Sequence, residues 1–137
     1  MKQFDILEHT ADVGIVAYGK NLKEVFENAA FGMFSLMVDP DTVEEKISYE
    51  LKVEDEDREG LLTEWLNELI YVSEVHEAVF KRFMITHLSE RSLIAKVYGE
   101  EIDLSRHQIK TQIKACTYHE LKIEKNEIWS ARVILDV

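Results

Sequence analysis

The chain has one cysteine, one proline and five glycines in 137 residues. Cys116 alone cannot close an internal disulfide, and one thiol is too few for a zinc cluster. Five scattered glycines cannot build a phosphate-cradling loop of the Walker or dinucleotide type, and no Gly-x-Ser-x-Gly elbow is present to carry a nucleophile. With one proline and no low-complexity tract, nothing reads as a linker. No run of about 20 apolar residues is available to cross a membrane, and the opening "MKQFDILEHT" lacks the long apolar core of a secretory signal. The expectation is a cytoplasmic protein without membrane partners. Basic charge is scarce too, with 16 Lys and Arg against 27 Asp and Glu and a net charge of −11. Phosphate binding draws on cations and counterion release, so strong direct binding of nucleic acid is not expected.

What is present suits a globular domain. Hydrophobic residues make up 46% and charged residues 31%. A chain near this size forms one domain, residues 1–137, and buries roughly 68–70% of its unfolded surface without a covalent staple. The charge is lopsided: Asp39 to Glu64 holds eleven acids against three bases, whereas Glu101 to Val137 holds six of each. Such an acidic flank suits steering towards a basic protein partner, and equally a solvated surface that keeps the chain soluble.

Periodicity then orders the elements. "QFDILEH" and "GIVAYG" read as two short strands joined by a hairpin or sharp corner. Asn21 followed by Glu24 is an Asx form of the capping box, and Leu22, Val25, Phe26, Ala29, Ala30, Met33, Phe34 and Met37 recur on one helix face. Asp39-Pro40 stops that helix, because the residue before proline avoids helical angles. Core packing accounts for its Met and Phe stripe more simply than a ligand groove does. "KISYELKV" alternates as a strand with one wet face. Asp57 caps a second helix that turns Leu61, Leu62, Trp65, Leu66, Leu69, Ile70 and Val72 inward. "FKRFMITHLSERSLIAKVYG" reads as two strands around Glu90-Arg91-Ser92. After Gly99 the pattern predicts three strands, with joints near Thr117 and at Lys125-Asn126. The order β-β-α-β-α-β-β-β-β-β implies an α+β domain with two helices on one largely antiparallel sheet, in which helix-then-strands occurs twice.

Five histidines, at positions 9, 76, 87, 107 and 119, include no pair at helical spacing, so zinc has little support; His76 and His87 read as surface or core residues. Carboxylates are better placed. His9, Thr10 and Asp12 form a polar knot at the mouth of the second strand, where a strand needs none of them. Asp136 follows the apolar run "ARVIL" and adjoins Val137 and its expected free carboxylate. Adjacent negative groups at the end of a core strand are easier to hold beside a cation or a lysine, and a hard cation takes several oxygens. The plain alternative is that Asp12 accepts backbone bonds and Asp136 faces water.

With "HTADVG", "NLKEVFENAAFGMFSLM", "LLTEWLNEL", "KTQIKACTYHEL" and "ARVILDV" in this order, the chain resembles the archease family along nearly its whole length. The resemblance implies a non-enzymatic activator of an RtcB-type tRNA-splicing RNA ligase. Such a ligase joins a 3′-phosphate or 2′,3′-cyclic phosphate end to a 5′-hydroxyl after guanylylating its own histidine. The activator accelerates that guanylylation and allows multiple turnover. The resemblance places ligase activation on Asp12, Lys114 and Asp136. It places a divalent metal ion, calcium first and magnesium or manganese as alternatives, on Asp12, Asp136 and the terminal carboxylate of Val137. His9 and His119 lie inside matching motifs as supporting residues, and Lys114 could instead be a strand lysine facing water. Two other classes stay open: a general chaperone or protein modulator, which needs no aspartates, and a small metal-dependent hydrolase using Asp12, His9 and Asp136.

Overall fold

A computed structural model describes residues 1–8 and 12–137. Seven strands and two helices follow in order. They are β1 (Phe4–Glu8), β2 (Asp12–Gly19), α1 (Leu22–Met37), β3 (Ile47–Glu54), α2 (Arg58–His76), β4 (Ala78–Leu88), β5 (Ser92–Glu101), β6 (Ala115–Lys125) and β7 (Trp129–Asp136), with a 3₁₀ turn at Pro40–Thr42. The class is α+β. The strands form two antiparallel sheets rather than the single sheet expected, a first with order β1-β2-β7-β6 and a second with order β3-β5-β4.

Both helices touch strands of both sheets, so they lie between them. That layering explains α2, which buries residues around much of its circumference, including Leu61, Leu62, Trp65, Leu66, Leu69, Ile70 and Val72. A helix covered on two sides is apolar on two faces, whereas one resting on a single sheet shows a single stripe. Trp65 satisfies its indole by donating to the carbonyl of Phe26 on α1, at 3.0 Å. One hydrophobic cluster unites both helices with the inner faces of both sheets.

The predicted caps form. Asn21 Oδ1 accepts from the Glu24 amide at 2.9 Å, and Asp57 Oδ1 accepts from the Gly60 amide at 2.7 Å. The third strand expected after Gly99 does not. Residues 102–114 are irregular, and only β6 and β7 follow. The cause is topological: β5 belongs to one sheet and β6 to the other, so the intervening chain must cross the helix ends instead of pairing. The expected joint near Thr117 is a break in register inside β6, between Thr117 and Lys122, where Glu120 takes a left-handed φ of 53°.

Candidate functional site

Sheet pairing brings the two ends of the described chain together. β2 and β7 run antiparallel at the centre of the first sheet, with Asp12 opposite Asp136, Val13 opposite Leu135 and Gly14 opposite Ile134. β6 flanks β7 on its far side and sets Ala115 opposite Asp136, while the Lys114 amide donates to the Asp136 carbonyl at 2.8 Å. Asp136 is thus the middle member of a three-strand row, Asp12, Asp136 and Ala115.

Strand alternation decides which way that row points. Ile15, Ala17, Ala131, Val133 and Leu135 face the helices and join the core. Asp12 and Asp136, one residue out of phase with Val13 and Leu135, therefore stand on the outer face. Directly opposed side chains in an antiparallel pair hold their Cβ atoms about 4.5–5.5 Å apart, and like charges there repel. Both aspartates are half-buried. Neither forms an ion pair among the described residues.

The next row on the same face is apolar. Leu7 lies opposite Gly14, Gly14 opposite Ile134, and Thr117 opposite Ile134. A Cβ on Gly14 would come within 3.1 Å of Leu7 Cβ and 3.2 Å of Ile134 Cδ1, so glycine lets these side chains close into a floor. Beyond it, Lys122 faces Arg132. That cationic row is four residues along the strand from the aspartates, about 13 Å at strand rise. The face therefore reads carboxylate, apolar, cationic.

The other expected site residues are placed as follows. Lys114 is exposed, and Val137 is half-buried and packs on the core. His119 is exposed beside the β6 irregularity, with Nε2 4.0 Å from Glu120 Oε2. His9 lies outside the described residues, as does Thr10. His76 is exposed and stacks on Tyr49 with ring centroids 4.2 Å apart, and His87 reaches Ser92 Oγ at 3.1 Å on the surface. Cys116 is buried, which pushes its thiol up to about 12, far from a reactive thiolate.

As a metal site, the row offers the right donors but few of them. Two opposed carboxylates suit a hard cation, which takes six to eight oxygens if calcium and an octahedron with retained waters if magnesium. Among the described residues no group of three or more His, Cys, Asp or Glu gathers to complete a cage. The arrangement fits an open half-site that a second molecule or water would complete.

A second polar group escaped the sequence reading. Glu100 and His107 are both buried, at 2% exposure each. Arg106 donates to Glu100 Oε1, His107 Nε2 lies 2.7 Å from the same oxygen and 3.0 Å from the Thr42 carbonyl, and the Glu44 amide donates to Glu100 Oε2 at 3.1 Å. His107 Nδ1 accepts from the Asp103 amide at 2.9 Å, so the ring is the neutral tautomer with its proton on Nε2. Every partner is satisfied and internal, so the group pins the crossing segment rather than forming a reactive site. The stretch "DLSRH" held the signal: Asp103 Oδ1 accepts from both the amide and the hydroxyl of Ser105, an Asx turn that argues against a strand.

Comparison with known proteins shows the family and the fold. Residues 4–137 match the model of the Archease protein family. The archease of Methanosarcina barkeri is 40% identical over 99% of this chain and 97% of its own length. That of Pyrococcus abyssi is 40% identical over the full length of both. The solution structure of Methanobacterium thermoautotrophicum protein 1598 superposes with a TM-score of 0.83 at 37% identity, covering all of both chains. The crystal structure of a Thermotoga maritima protein described as an archease and possible chaperone gives 0.66 at 21% identity, over 96% of this chain and 94% of that one, a likeness of fold.

Proposed function

This chain belongs to the archease family, and from that premise we propose that it is a non-enzymatic activator of an RtcB-type RNA ligase, acting through Asp12 and Asp136. The observation that carries the reading is the cross-strand register of those two residues, which sets two carboxylates side by side on an outer sheet face. A half-buried like-charge pair has a cost, and a fold that keeps it gains something else from it. Asp12 and Asp136 would hold a divalent cation, with the α-carboxylate of Val137 adding oxygen donors. A cation so held supplies positive charge beside nucleotide phosphates. An open half-site is suited to the ligase's GTP-binding pocket, where phosphate and partner oxygens complete the coordination. Lys114, with its backbone tied to Asp136 and its side chain in solvent, would reach a phosphate or balance the aspartates. The net charge of −11 accords with a visitor to a basic RNA-binding enzyme rather than with an RNA binder.

The test is ligase self-guanylylation with GTP, with and without this protein. Asp12→Ala and Asp136→Ala, each folded, should lose most of the stimulation, about a hundredfold if the pair positions a reacting phosphate. Full stimulation by both folded variants sinks the reading and favours a general chaperone or modulator. Turnover of a substrate with no ligase present would instead favour a hydrolase.

A further inference from the structure

The crossing segment leaves a groove where it passes the helix ends. The groove has a volume of about 290 Å³, and its lining includes Met37, Ile70, Ile109 and Ile113 together with Glu74 and Glu77. No lysine or arginine lines it. Ile109 on its wall is 39% exposed. Large apolar side chains gathered around one groove differ from scattered surface residues, which need no explanation.

The crossing segment links the groove to the aspartate row. Ile113 precedes Lys114, whose amide bonds the Asp136 carbonyl. The same segment is tied to both helices. Asn67 holds the Cys116 backbone at both ends, accepting from its amide at 2.7 Å and donating to its carbonyl at 3.1 Å, one residue from the Ala115–Asp136 pairing. The Lys110 amide bonds the Met37 carbonyl at the end of α1. Helix C-termini carry partial negative charge. The last turn of α1 has no base, and Glu74 and Glu77 add full charges without an ion-pair partner among the described residues. Lys110 and Lys114 flank the groove, exposed on the crossing segment.

We propose that this groove is the docking site for the activated ligase, taking an apolar side chain from a surface whose basic residues meet Glu74 and Glu77. It rests on the function proposed above and names the contact that supplies affinity, while Asp12 and Asp136 supply activation. Charge selects the occupant. A second copy of this chain would bring its own acidic groove against this one, so like charges oppose self-association. An apolar anchor in a groove with a complementary charged rim is the arrangement in which few residues dominate affinity.

The test separates the two claims. Ile109→Ser changes an exposed side chain and should leave the melting temperature near wild type. It should raise the Kd for the ligase about tenfold, the loss of one anchoring contact, while saturating protein restores full guanylylation. Asp12→Ala should show the opposite split, with near-normal affinity and no stimulation at saturation. Glu74→Lys should weaken binding as well. If the wild type binds and the groove variants bind equally well, the groove proposal fails and the aspartate reading stands. If the wild type neither binds nor stimulates the ligase, both fail. Self-association of the wild type in sedimentation, abolished by Ile109→Ser, would assign the groove to a second copy and overturn the proposal.

Discussion

Asp12 and Asp136 are held as a pair by backbone, not by each other. Their positions follow from a continuous eight-residue register between β2 and β7, so neither can retreat from the other without slipping the sheet. A slip of one residue would turn Ile15, Val133 and Leu135 out of the core. The repulsion is therefore locked in, and relieving it should stabilise the fold. Asp136→Asn, of equal size, should raise stability by about 0.5 kcal/mol in the absence of divalent ions, the scale of a cross-strand charge contact. Calcium, magnesium or manganese should raise the melting temperature of the wild type as ligand concentration passes its dissociation constant, and leave the variant unmoved. Thermal scans with each ion and with chelator read both effects without any ligase. An equal response of wild type and variant would remove the cation from these oxygens.

At the scale of elements, the crossing segment 102–114 is pinned by Glu100. Burial alone raises its carboxyl, but hydrogen bonds from Arg106 and the Glu44 amide, with the pull of the Arg106 charge, hold it below the ordinary value of 4.5. A carboxyl depressed in the folded state contributes stability above its unfolded value and loses it as pH falls through the folded one. Glu100→Gln should cost about 2 kcal/mol at neutral pH, less than for a fully enclosed pair because Arg106 keeps contact with water. The gap to wild type should narrow as pH drops below about 4.5 and close once pH has fallen through the lower folded-state value, where wild-type Glu100 is itself neutral. A gap constant with pH would deny the ionised carboxylate its role. This segment also marks the limit of what local sequence conveys. Capping at Asn21 and Asp57 and the periodicity of α1 are local, so both helices were legible. Alternation shows which face a strand turns inward but not which strand lies beside it, so two sheets read as one. The apolar residues Ile102, Leu104, Ile109 and Ile113 imitate a strand in a stretch whose backbone must leave one sheet for the other. The aspartates were legible as residues out of place, whereas their register depends on pairing across more than a hundred positions.

For the molecule as a whole, acidity is shared by both ends. α1 runs back along β2, so it ends on the side where Asp12 and Asp136 stand. At the opposite end Lys23, Arg58 and His87 line a groove with Glu90, and Asp55, Glu56, Asp57 and Glu59 lie where α2 begins. The charge of −11 therefore gives a field of one sign, and such a field acts on approach before any contact forms. Steering of this kind accelerates association and leaves the short-range contacts that set dissociation almost untouched. Raising ionic strength from about 0.05 M to about 0.5 M shortens the screening length to a few ångströms, less than the separation of these charges. The association rate with the proposed ligase partner should therefore fall about tenfold or more, while the dissociation rate changes by less than about twofold. Stopped-flow binding across a salt series separates the two rates. An association rate indifferent to salt would mean that charge plays no part in finding the partner, whatever the groove and the aspartates do on arrival.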